Sequence, residues 1–194
     1  MKSGATHGKG TLVKSALDIG DMPKNGWSEV AFLGRSNAGK SSLINALVGR
    51  KIAHTSGTPG RTQRIHFYAM PSWYIVDLPG FGYARVSKME RAQFGQAVDT
   101  YLQERQPLVA AILIQDVRRD PEDEERMVVQ WALERNLLFL VAASKIDRLN
   151  QREKREREER LKSLYPCPVY LVSSRTREGV DAIKQAIGGL GLQF

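Results

Sequence analysis

Eight consecutive residues have the types and spacing of a loop that binds nucleotide phosphates, because they fit the pattern G-x4-G-K-S/T. The glycines let the backbone wrap closely around an anion, so that backbone N–H groups and the next helix N-terminus face the phosphates. We expect Lys40 to reach the β and γ phosphates and the Ser41 hydroxyl to ligate Mg²⁺. An ordinary glycine turn is disfavoured, because a strand-like run precedes the loop and a helical pattern follows it. The predicted nucleotide-binding residues of this loop are Gly34, Arg35, Ser36, Asn37, Ala38, Gly39, Lys40 and Ser41.

A carboxylate with a glycine three residues later follows the phosphate loop along the chain. The apolar run Trp73–Val76 ends in Asp77, and Asp77, Leu78, Pro79 and Gly80 form the pattern D-x-x-G. We expect Asp77 to hold Mg²⁺ through a water molecule, opposite Ser41. The Gly80 N–H can bond the γ-phosphate, so loss of that phosphate would release the loop that follows.

The segment between the first helix and the second predicted strand has the composition of a switch loop. Residues Gly49–Gln63 are rich in Gly, Thr and basic residues. One threonine is needed to close over Mg²⁺ when the γ-phosphate is present. Spacing alone does not choose among Thr55, Thr58 and Thr62.

A third pattern, Ser144-Lys145-Ile146-Asp147, follows an apolar strand-like run and predicts the choice of base. In the usual form of this pattern, N/T-K-x-D, the Asp accepts from guanine N1–H and the exocyclic N2 amine. Adenine offers neither donor, so an ATPase is the less favoured alternative. The Lys145 stem would lie over the base, and the Ser144 hydroxyl can bond the phosphate loop. After the last strand, Val172, Ser173 and Ser174 would close over guanine O6, with backbone N–H groups of the two serines as donors.

Strand-like runs alternate with helical patterns around these motifs, which predicts an α/β fold with a mostly parallel sheet covered on both faces. Only Pro71-Ser72 separates two of the runs, which is too short for a crossover, so these two should form a hairpin. We therefore predict six strands with one antiparallel edge strand. The predicted strands are Val30–Leu33, Ile65–Met70, Trp73–Val76, Leu108–Ile114, Leu137–Ala143 and Val169–Val172. The predicted helices are Lys40–Val48, Met89–Glu104, Pro121–Arg135, Asn150–Leu164 and Gly179–Ile187.

One domain, residues 28–190, accounts for these patterns, with an N-terminal extension 1–27 and a tail 191–194. We expect disorder in the first ten residues, which are small, polar and free of aromatics. No run of 18 apolar residues exists, which predicts no membrane span. The single cysteine, Cys167, fits a cytoplasmic protein, and packing is its expected role.

The net charge of +8 favours a polyanionic partner such as RNA or an acidic membrane surface, although it could serve solubility alone. The segment Gln151–Arg160 is densely charged, and Glu153–Arg157 and Glu156–Arg160 are candidate i,i+4 pairs. A solvated helix is the favoured interpretation, and a helix that contacts RNA is the alternative. A membrane-surface role is the least favoured, because the chain has no basic amphipathic stripe.

Three longer strings resemble the EngB (YihA/YsxC) family of bacterial ribosome-assembly GTPases, within the Ras-like P-loop GTPases. They are Gly34–Asn45, Thr58–Gln63 and Asp77–Lys88, and the resemblance runs from about Val13 to Ile187. It implies a three-layer fold, a cytoplasmic monomer that binds GTP and GDP, and a role in late large-subunit maturation, septation and cell division. It implies that Thr62 completes the Mg²⁺ shell, so that Lys40, Thr62 and Gly80 serve catalysis. It also implies nucleotide contacts from Gly60, Arg61, Thr62, Gln63 and Arg64.

Phe81 stands where Ras-like enzymes carry the glutamine that orients the attacking water, so intrinsic hydrolysis should be slow. One candidate remedy is K⁺ held partly by Asn37, whose alternative role is to brace the loop. The other is the ribosomal precursor particle, with its RNA facing a basic surface. The candidate basic residues are Arg61, Arg64, Arg85, Lys88, Arg91, Arg118 and Arg119. A rival of a different class is an RNA-binding assembly module in which GTP locks a shape and hydrolysis is incidental.

Overall fold

A computed structural model of the protein describes residues 9–54, 64–81, 98–135 and 137–194. Two short 3-10 turns, Ile19–Asp21 and Ile146–Arg148, accompany the regular elements, and residues 98–104 are also helical. The strands are β1 (Thr11–Ala16), β2 (Ser28–Gly34), β3 (Ile65–Ala69), β4 (Trp73–Asp77), β5 (Leu108–Asp116), β6 (Leu138–Ser144) and β7 (Val169–Val172). The helices are α1 (Lys40–Val48), α2 (Asp123–Glu134), α3 (Gln151–Leu164) and α4 (Val180–Gly188).

The seven strands form one sheet in the order β1-β3-β4-β2-β5-β6-β7. β3 pairs antiparallel with both of its neighbours, and the other pairs are parallel, so β3 alone runs against the rest of the described sheet. The predicted α/β class and the single antiparallel strand are confirmed. The predicted count of six strands is too low, because β1 adds a seventh strand outside β3. The antiparallel strand β3 therefore lies inside the sheet and not, as predicted, at its edge.

The sequence did not predict β1, because its side chains show no regular alternation of apolar and polar residues. Five of the six residues of β1 are exposed or half-buried, in an irregular pattern, and only Ala16 is buried. Its register shifts between Leu12 and Lys14. Backbone hydrogen bonds to β3, rather than an apolar face, hold it in the sheet.

Two apolar layers cover the sheet, which confirms the three-layer architecture. On one face, Leu43 and Leu47 of α1 and Ile183 of α4 pack together with inward side chains of β2 and β4. On the other face, Tyr101, Val129 of α2 and Leu161 of α3 pack on the alternate side chains of the same strands. The parallel strands β2, β4, β5 and β6 are largely buried on both faces, the two middle residues of β7 are half-buried, and the carboxyl ends of all five strands meet at one edge of the sheet.

Both ends of the chain, where described, pack on the domain. The Asn25 side-chain amide donates to the Tyr74 hydroxyl (2.9 Å). The Trp73 indole N–H donates to the Gln193 carbonyl (2.7 Å), and Phe194 lies edge-on to Trp73. The predicted disorder of residues 1–10 falls mainly on residues 1–8, outside the described part of the chain, but Gly10 is buried and its N–H bonds the Ala69 carbonyl.

The predicted helix Met89–Glu104 is helical over 98–104, and its first nine residues lie outside the described residues. Within the described ranges, none of the helices has both the length and the apolarity needed to cross a bilayer. Cys167 is half-buried against the face of the core that holds Leu161, which agrees with a packing role, and burial raises the pKa of its thiol to about 11.

Candidate functional site

The phosphate loop joins β2, which ends at Gly34, to α1, which begins at Lys40. Its backbone turns sharply: Asn37 has φ of 62° and Gly39 has φ of 104°. Gly39 occupies the N-cap position of α1 and offers no side-chain hydrogen bond there. The first N–H groups of α1 can therefore serve an anion, as the sequence pattern predicts.

Lys40 and Asp77 form a buried ion pair at the carboxyl ends of β2 and β4. The Lys40 side chain is 10% exposed and that of Asp77 is 4% exposed, and the Lys40 ammonium bonds Asp77 Oδ1. Asp77 is the last residue of β4, and the Leu78 N–H that follows donates to the Phe32 carbonyl of β2 (3.1 Å). The residue predicted to reach the phosphates thus contacts the residue predicted to face Mg²⁺.

Gly80 and Phe81 lie directly against the phosphate loop. The Phe81 N–H donates to the Gly34 carbonyl (3.3 Å), and the Ser36 N–H donates to the Phe81 carbonyl (3.1 Å). A Cβ on Gly80 would come within 3.1 Å of both Ser36 N and Ser36 Cα, so this close approach favours glycine. The D-x-x-G motif and the phosphate loop are therefore held together through backbone bonds.

Hydrogen bonds also hold the residues predicted to recognise the base, which lie at or just after the ends of β6 and β7 and form what we call the base edge. Ser173 Oγ donates to Asp147 Oδ1 (2.7 Å) and accepts from the Thr176 N–H (3.1 Å). Arg175 Nη1 lies 3.9 Å from the second carboxylate oxygen of Asp147. The Ser173 N–H donates to the Glu178 carbonyl (2.9 Å), so the predicted N–H contact to guanine O6 now rests on Ser174. Ser174 is half-buried, and Val172 before it is fully buried.

Ser144 and Lys145 connect this base edge to the phosphate loop. Ser144 Oγ lies 2.5 Å from the Ala38 carbonyl oxygen and 3.1 Å from that of Gln115, so the predicted hydroxyl contact to the loop is present. Lys145 has a left-handed backbone with φ of 66°, and its ammonium donates to the Asn37 carbonyl (2.5 Å). Ile146, inside the same motif, is fully buried and anchors it.

The Arg35 side chain reaches the acidic start of α2. It pairs with Glu122, Glu124 and Glu125, and only 18% of it is exposed. A direct nucleotide contact from this side chain would need those pairs to break. We therefore expect Arg35 to contact the nucleotide through its backbone.

Sequence reasoning missed Asp116, which ends β5 between the phosphate loop and the base edge. Its carboxylate bonds both Arg118 and Lys145. The available signal was a carboxylate at the end of a buried strand, which is the same signal that identified Asp77. Arg119, the next basic residue along, pairs with Glu122. Both arginines proposed for RNA contact after β5 thus have acidic partners.

Several predicted residues lie outside the described ranges: Gly60, Arg61, Thr62, Gln63, Arg85, Lys88 and Arg91. Arg64 is described; it is exposed and lies just before β3.

The predicted ion pairs along α3 are wrong. Arg157 and Arg160 both pair with Asp120, from the loop after β5, instead of with Glu153 and Glu156. Glu153 accepts from the Asn150 N–H (2.8 Å) in a capping box that begins the helix. A carboxylate from a neighbouring element therefore replaces the partners on the same helix.

The donors at the phosphate edge fit Mg²⁺, which prefers oxygen ligands and usually keeps several waters beside one or two protein groups and substrate phosphates. The Ser41 hydroxyl follows Lys40 in the chain, and Lys40 contacts Asp77, so both predicted oxygen donors lie at this edge. Among the described residues, no group of three or more His, Cys, Asp or Glu forms an all-protein metal site.

Comparison with known proteins agrees with this arrangement. A profile of the family described as 50S ribosome-binding GTPases matches residues 29–145. The chain is 42% identical over 184 residues to the "Probable GTP-binding protein EngB" of Thermotoga maritima, covering 92% of this chain and 94% of that protein. It is 45% identical over 160 residues to the protein of the same name from Geobacter sulfurreducens, covering 80% and 78%.

Solved structures support the fold. A crystal structure of a probable GTP-binding protein EngB superposes with a TM-score of 0.69 at 23% identity, covering 84% of this chain and 98% of that one. The G domain of the T. maritima FeoB iron transporter gives a TM-score of 0.57 at 27% identity, with the same coverages of 84% and 98%. From the family profile and the extent of identity to curated relatives, the chain belongs to the EngB family of GTP-binding proteins with a GTPase domain.

Proposed function

We propose that this protein is a slow GTPase that acts as a molecular switch in assembly of the large ribosomal subunit. The observation that carries the proposal is the geometry of one sheet edge. Asp147, oriented by Ser173, lies at the same edge as Lys40 and Asp77, and Lys145 and Ser144 connect the two halves. A guanine base and a phosphate chain could engage both halves at once.

In the proposed nucleotide complex, Lys40 exchanges its bond to Asp77 for bonds to the β and γ phosphates. Asp77, acting through a water molecule, the Ser41 hydroxyl and Thr62 would then hold Mg²⁺. The ion would supply positive charge against the negative charge that develops on the transferred phosphoryl group. Gly80 lies against Ser36 of the phosphate loop, so its N–H could bond the γ-phosphate when that phosphate is present.

Phe81 is the reason to expect a low intrinsic rate. Its side chain has no polar atom, it is half-buried against the core, and its backbone is bonded to the phosphate loop. It cannot orient the attacking water, so charge or orientation must come from elsewhere. Asn37 is exposed and left-handed, and we propose K⁺ held partly by its side chain as one source. The Asn37 carbonyl also accepts a hydrogen bond from the Lys145 ammonium, which supports the alternative role of Asn37 in bracing the loop.

The precursor of the large ribosomal subunit and its RNA are the proposed partner and second source of activation. The support is the ribosome-binding description of the matched family and the net charge of +8. Septation and cell division follow from the resemblance to EngB proteins, as do a cytoplasmic location and a monomeric state.

The test is GTP turnover measured in K⁺ and in Na⁺, each with and without large-subunit precursor particles. We expect faster turnover in K⁺ than in Na⁺, and a further increase with particles. Asn37→Ala should abolish the difference between the two salts. Equal turnover under all four conditions would remove both proposed activators. Particle binding that ignores both nucleotide and salt concentration would remove the RNA contact.

An RNA-binding assembly module with incidental hydrolysis is the second candidate, and Phe81 favours it. Thr62→Ala should retain GTP binding but lose hydrolysis, whereas Lys40→Ala should lose binding. If Thr62→Ala supports subunit assembly as well as the wild type, while Lys40→Ala does not, GTP serves only to lock a conformation. If both variants fail, hydrolysis itself is required.

A further inference from the structure

Asp116 occupies the carboxyl end of β5, the strand next to β2 in the sheet. It is 8% exposed, and none of the nucleotide-binding motifs contains it. Burying a carboxylate is unfavourable unless charged or hydrogen-bonding partners compensate. The partners of Asp116 therefore indicate what the residue is for.

Two cations share this carboxylate. Oδ1 accepts from the backbone N–H and the Nε–H of Arg118, at 3.1 and 2.9 Å. Oδ2 accepts from Arg118 Nη2 (2.7 Å) and from the Lys145 ammonium (3.0 Å). Burial acts to raise the pKa of Asp116, but the bonds from Arg118 and Lys145 outweigh it, and the pKa lies well below its usual range. Asp116 is therefore a permanent anion at neutral pH.

Lys145 needs such an anchor. Its left-handed backbone is unfavourable for a residue with a side chain. Its long side chain loses rotamer freedom when fixed in one position. The ammonium is nevertheless held at two points, by Asp116 of β5 and by the Asn37 carbonyl of the phosphate loop. The lysine stem is therefore held between these two contacts and its own backbone.

We propose that Asp116 is a positioning residue for guanine-nucleotide binding. Its carboxylate fixes the Lys145 ammonium, so that the lysine stem lies ready for the face of the base and the base-recognition element stays tied to the phosphate loop. The inference rests on the proposed guanine site.

The chain supplies two matched controls. Asp120 is a carboxylate in the same loop, but it pairs with Arg157 and Arg160 and not with Lys145. Arg118 is the other partner of Asp116, and the Lys145 ammonium donates to Asp116 directly, so we expect Arg118→Ala to keep that contact. A purely electrostatic effect would have the opposite sign, because removal of a nearby anion strengthens the binding of an anionic nucleotide.

The experiment measures GDP affinity by calorimetry for Asp116→Asn, Lys145→Ala, the double variant, Asp120→Asn and Arg118→Ala. Asp116→Asn should weaken GDP about tenfold, the scale of one charge-assisted hydrogen bond. The double variant should bind no more weakly than Lys145→Ala alone, because Asp116 acts through Lys145. Asp120→Asn and Arg118→Ala should stay within about twofold of the wild type.

The outcomes separate the inference from the proposal beneath it. If Lys145→Ala has no effect, the proposed guanine site is wrong. If Lys145→Ala weakens GDP but Asp116→Asn does not, only the role of Asp116 is wrong. An equal loss from Asp116→Asn with and without Lys145, or an equal loss in Asp120→Asn, would show a structural role for the loop and overturn the inference.

Discussion

The two halves of the carboxyl edge of the sheet hold their polar side chains differently. On the base side, Asp147 is bonded by Ser173, Ser144 reaches the Ala38 carbonyl, and Lys145 bridges Asp116 and the phosphate loop. These bonds join the predicted recognition residues to other parts of the fold. On the phosphate side, the Lys40 ammonium bonds Asp77. Lys40 is predicted to bind phosphates and Asp77 to hold Mg²⁺, so each occupies the other's predicted bonding group.

This difference predicts that nucleotide binding rearranges the phosphate side more than the base side. The base side is already arranged, and hydrogen bonds between several elements maintain it, so selectivity for guanine costs little rearrangement. On the phosphate side, the proposed complex requires the Lys40–Asp77 pair to open, so that phosphates and Mg²⁺ can take the place of each partner. Nucleotide affinity should therefore depend most on Lys40, whereas the order of the base side should depend on the scaffold behind it.

Lys40→Ala is expected to have the largest effect on binding. It removes the charge that faces the phosphates and leaves the buried Asp77 carboxylate without its partner, so GTP should bind at least about 100-fold more weakly. Calorimetry with GTP and Mg²⁺ measures the loss. Lys51→Ala, at an exposed lysine after α1, is the control and should bind as the wild type does. A loss below about tenfold for Lys40→Ala would break the distinction between the two halves.

Gly179→Ala tests the scaffold behind the base side. Gly179 has φ of +74°, and an added Cβ would lie 1.9 Å from the Leu171 carbonyl oxygen. Gly49 has φ of +79° with nothing within 4 Å of such a Cβ, so Gly49→Ala isolates the backbone strain. Gly49→Ala should cost about 1 kcal/mol of unfolding free energy, and Gly179→Ala about 2 kcal/mol more.

Denaturant unfolding measures both glycine variants. Gly179 also adjoins the loop that bonds Asp147, since the Ser173 N–H donates to the Glu178 carbonyl. Gly179→Ala should therefore weaken GDP binding, and Gly49→Ala should not. Equal losses of stability in the two variants would mean that the contact with Leu171 relaxes freely.

Ser144→Ala should weaken GTP binding by about tenfold, because the Ala38 and Gln115 carbonyls lose a hydrogen-bond donor in a buried place. Preference for guanine over adenine should stay unchanged, since Asp147 is intact. Ser144→Thr keeps the hydroxyl and should bind at least as tightly as the wild type. Competition between GTP and ATP gives both readouts, and a loss of base preference in Ser144→Ala would contradict the assigned role.

Cys167 gives the smallest and most local test. Because burial raises the pKa of this thiol to about 11, the thiolate fraction should be about 1% at pH 9. Alkylation by iodoacetamide should therefore be slow near neutral pH and rise toward pH 11. Cys167 lies just before β7, so GDP should leave the rate nearly unchanged if the base side is already arranged. Fast alkylation at pH 7, or a large change with GDP, would show that this region opens.

The sequence predicted the parts of the site that consist of several consecutive residues. Lys40, Asp77, Ser144 and Asp147 belong to such patterns, because chemistry restricts the residue types at each position. The helix α1 matched its prediction from Lys40 to Val48, where the loop and the final glycine set its limits. Conversely, β1 is held by backbone pairing, which leaves little trace in its side chains.

Contacts between distant residues account for the other differences. Asp116 and its partner Lys145 are 29 positions apart, so only the parallel pairing of β5 with β6 brings them together. Asp120 pairs with Arg157 and Arg160, which lie 37 and 40 positions away, in place of their predicted partners on α3. Spacing along one helix could not anticipate a carboxylate from the neighbouring loop.

The central claim is that Asp147 selects guanine at a site already arranged for it. The direct measurement is the affinity of the wild type and of Asp147→Asn for GDP, ADP and xanthosine diphosphate. The wild type should prefer GDP over ADP by a factor of 100 or more, on the order expected when a carboxylate would otherwise be unpaired. Asp147→Asn should lose GDP and gain the xanthine nucleotide, because its amide N–H can donate to the oxygen that replaces the guanine amine. Similar affinities for GDP and ADP in the wild type, or unchanged GDP binding in Asp147→Asn, would contradict the account.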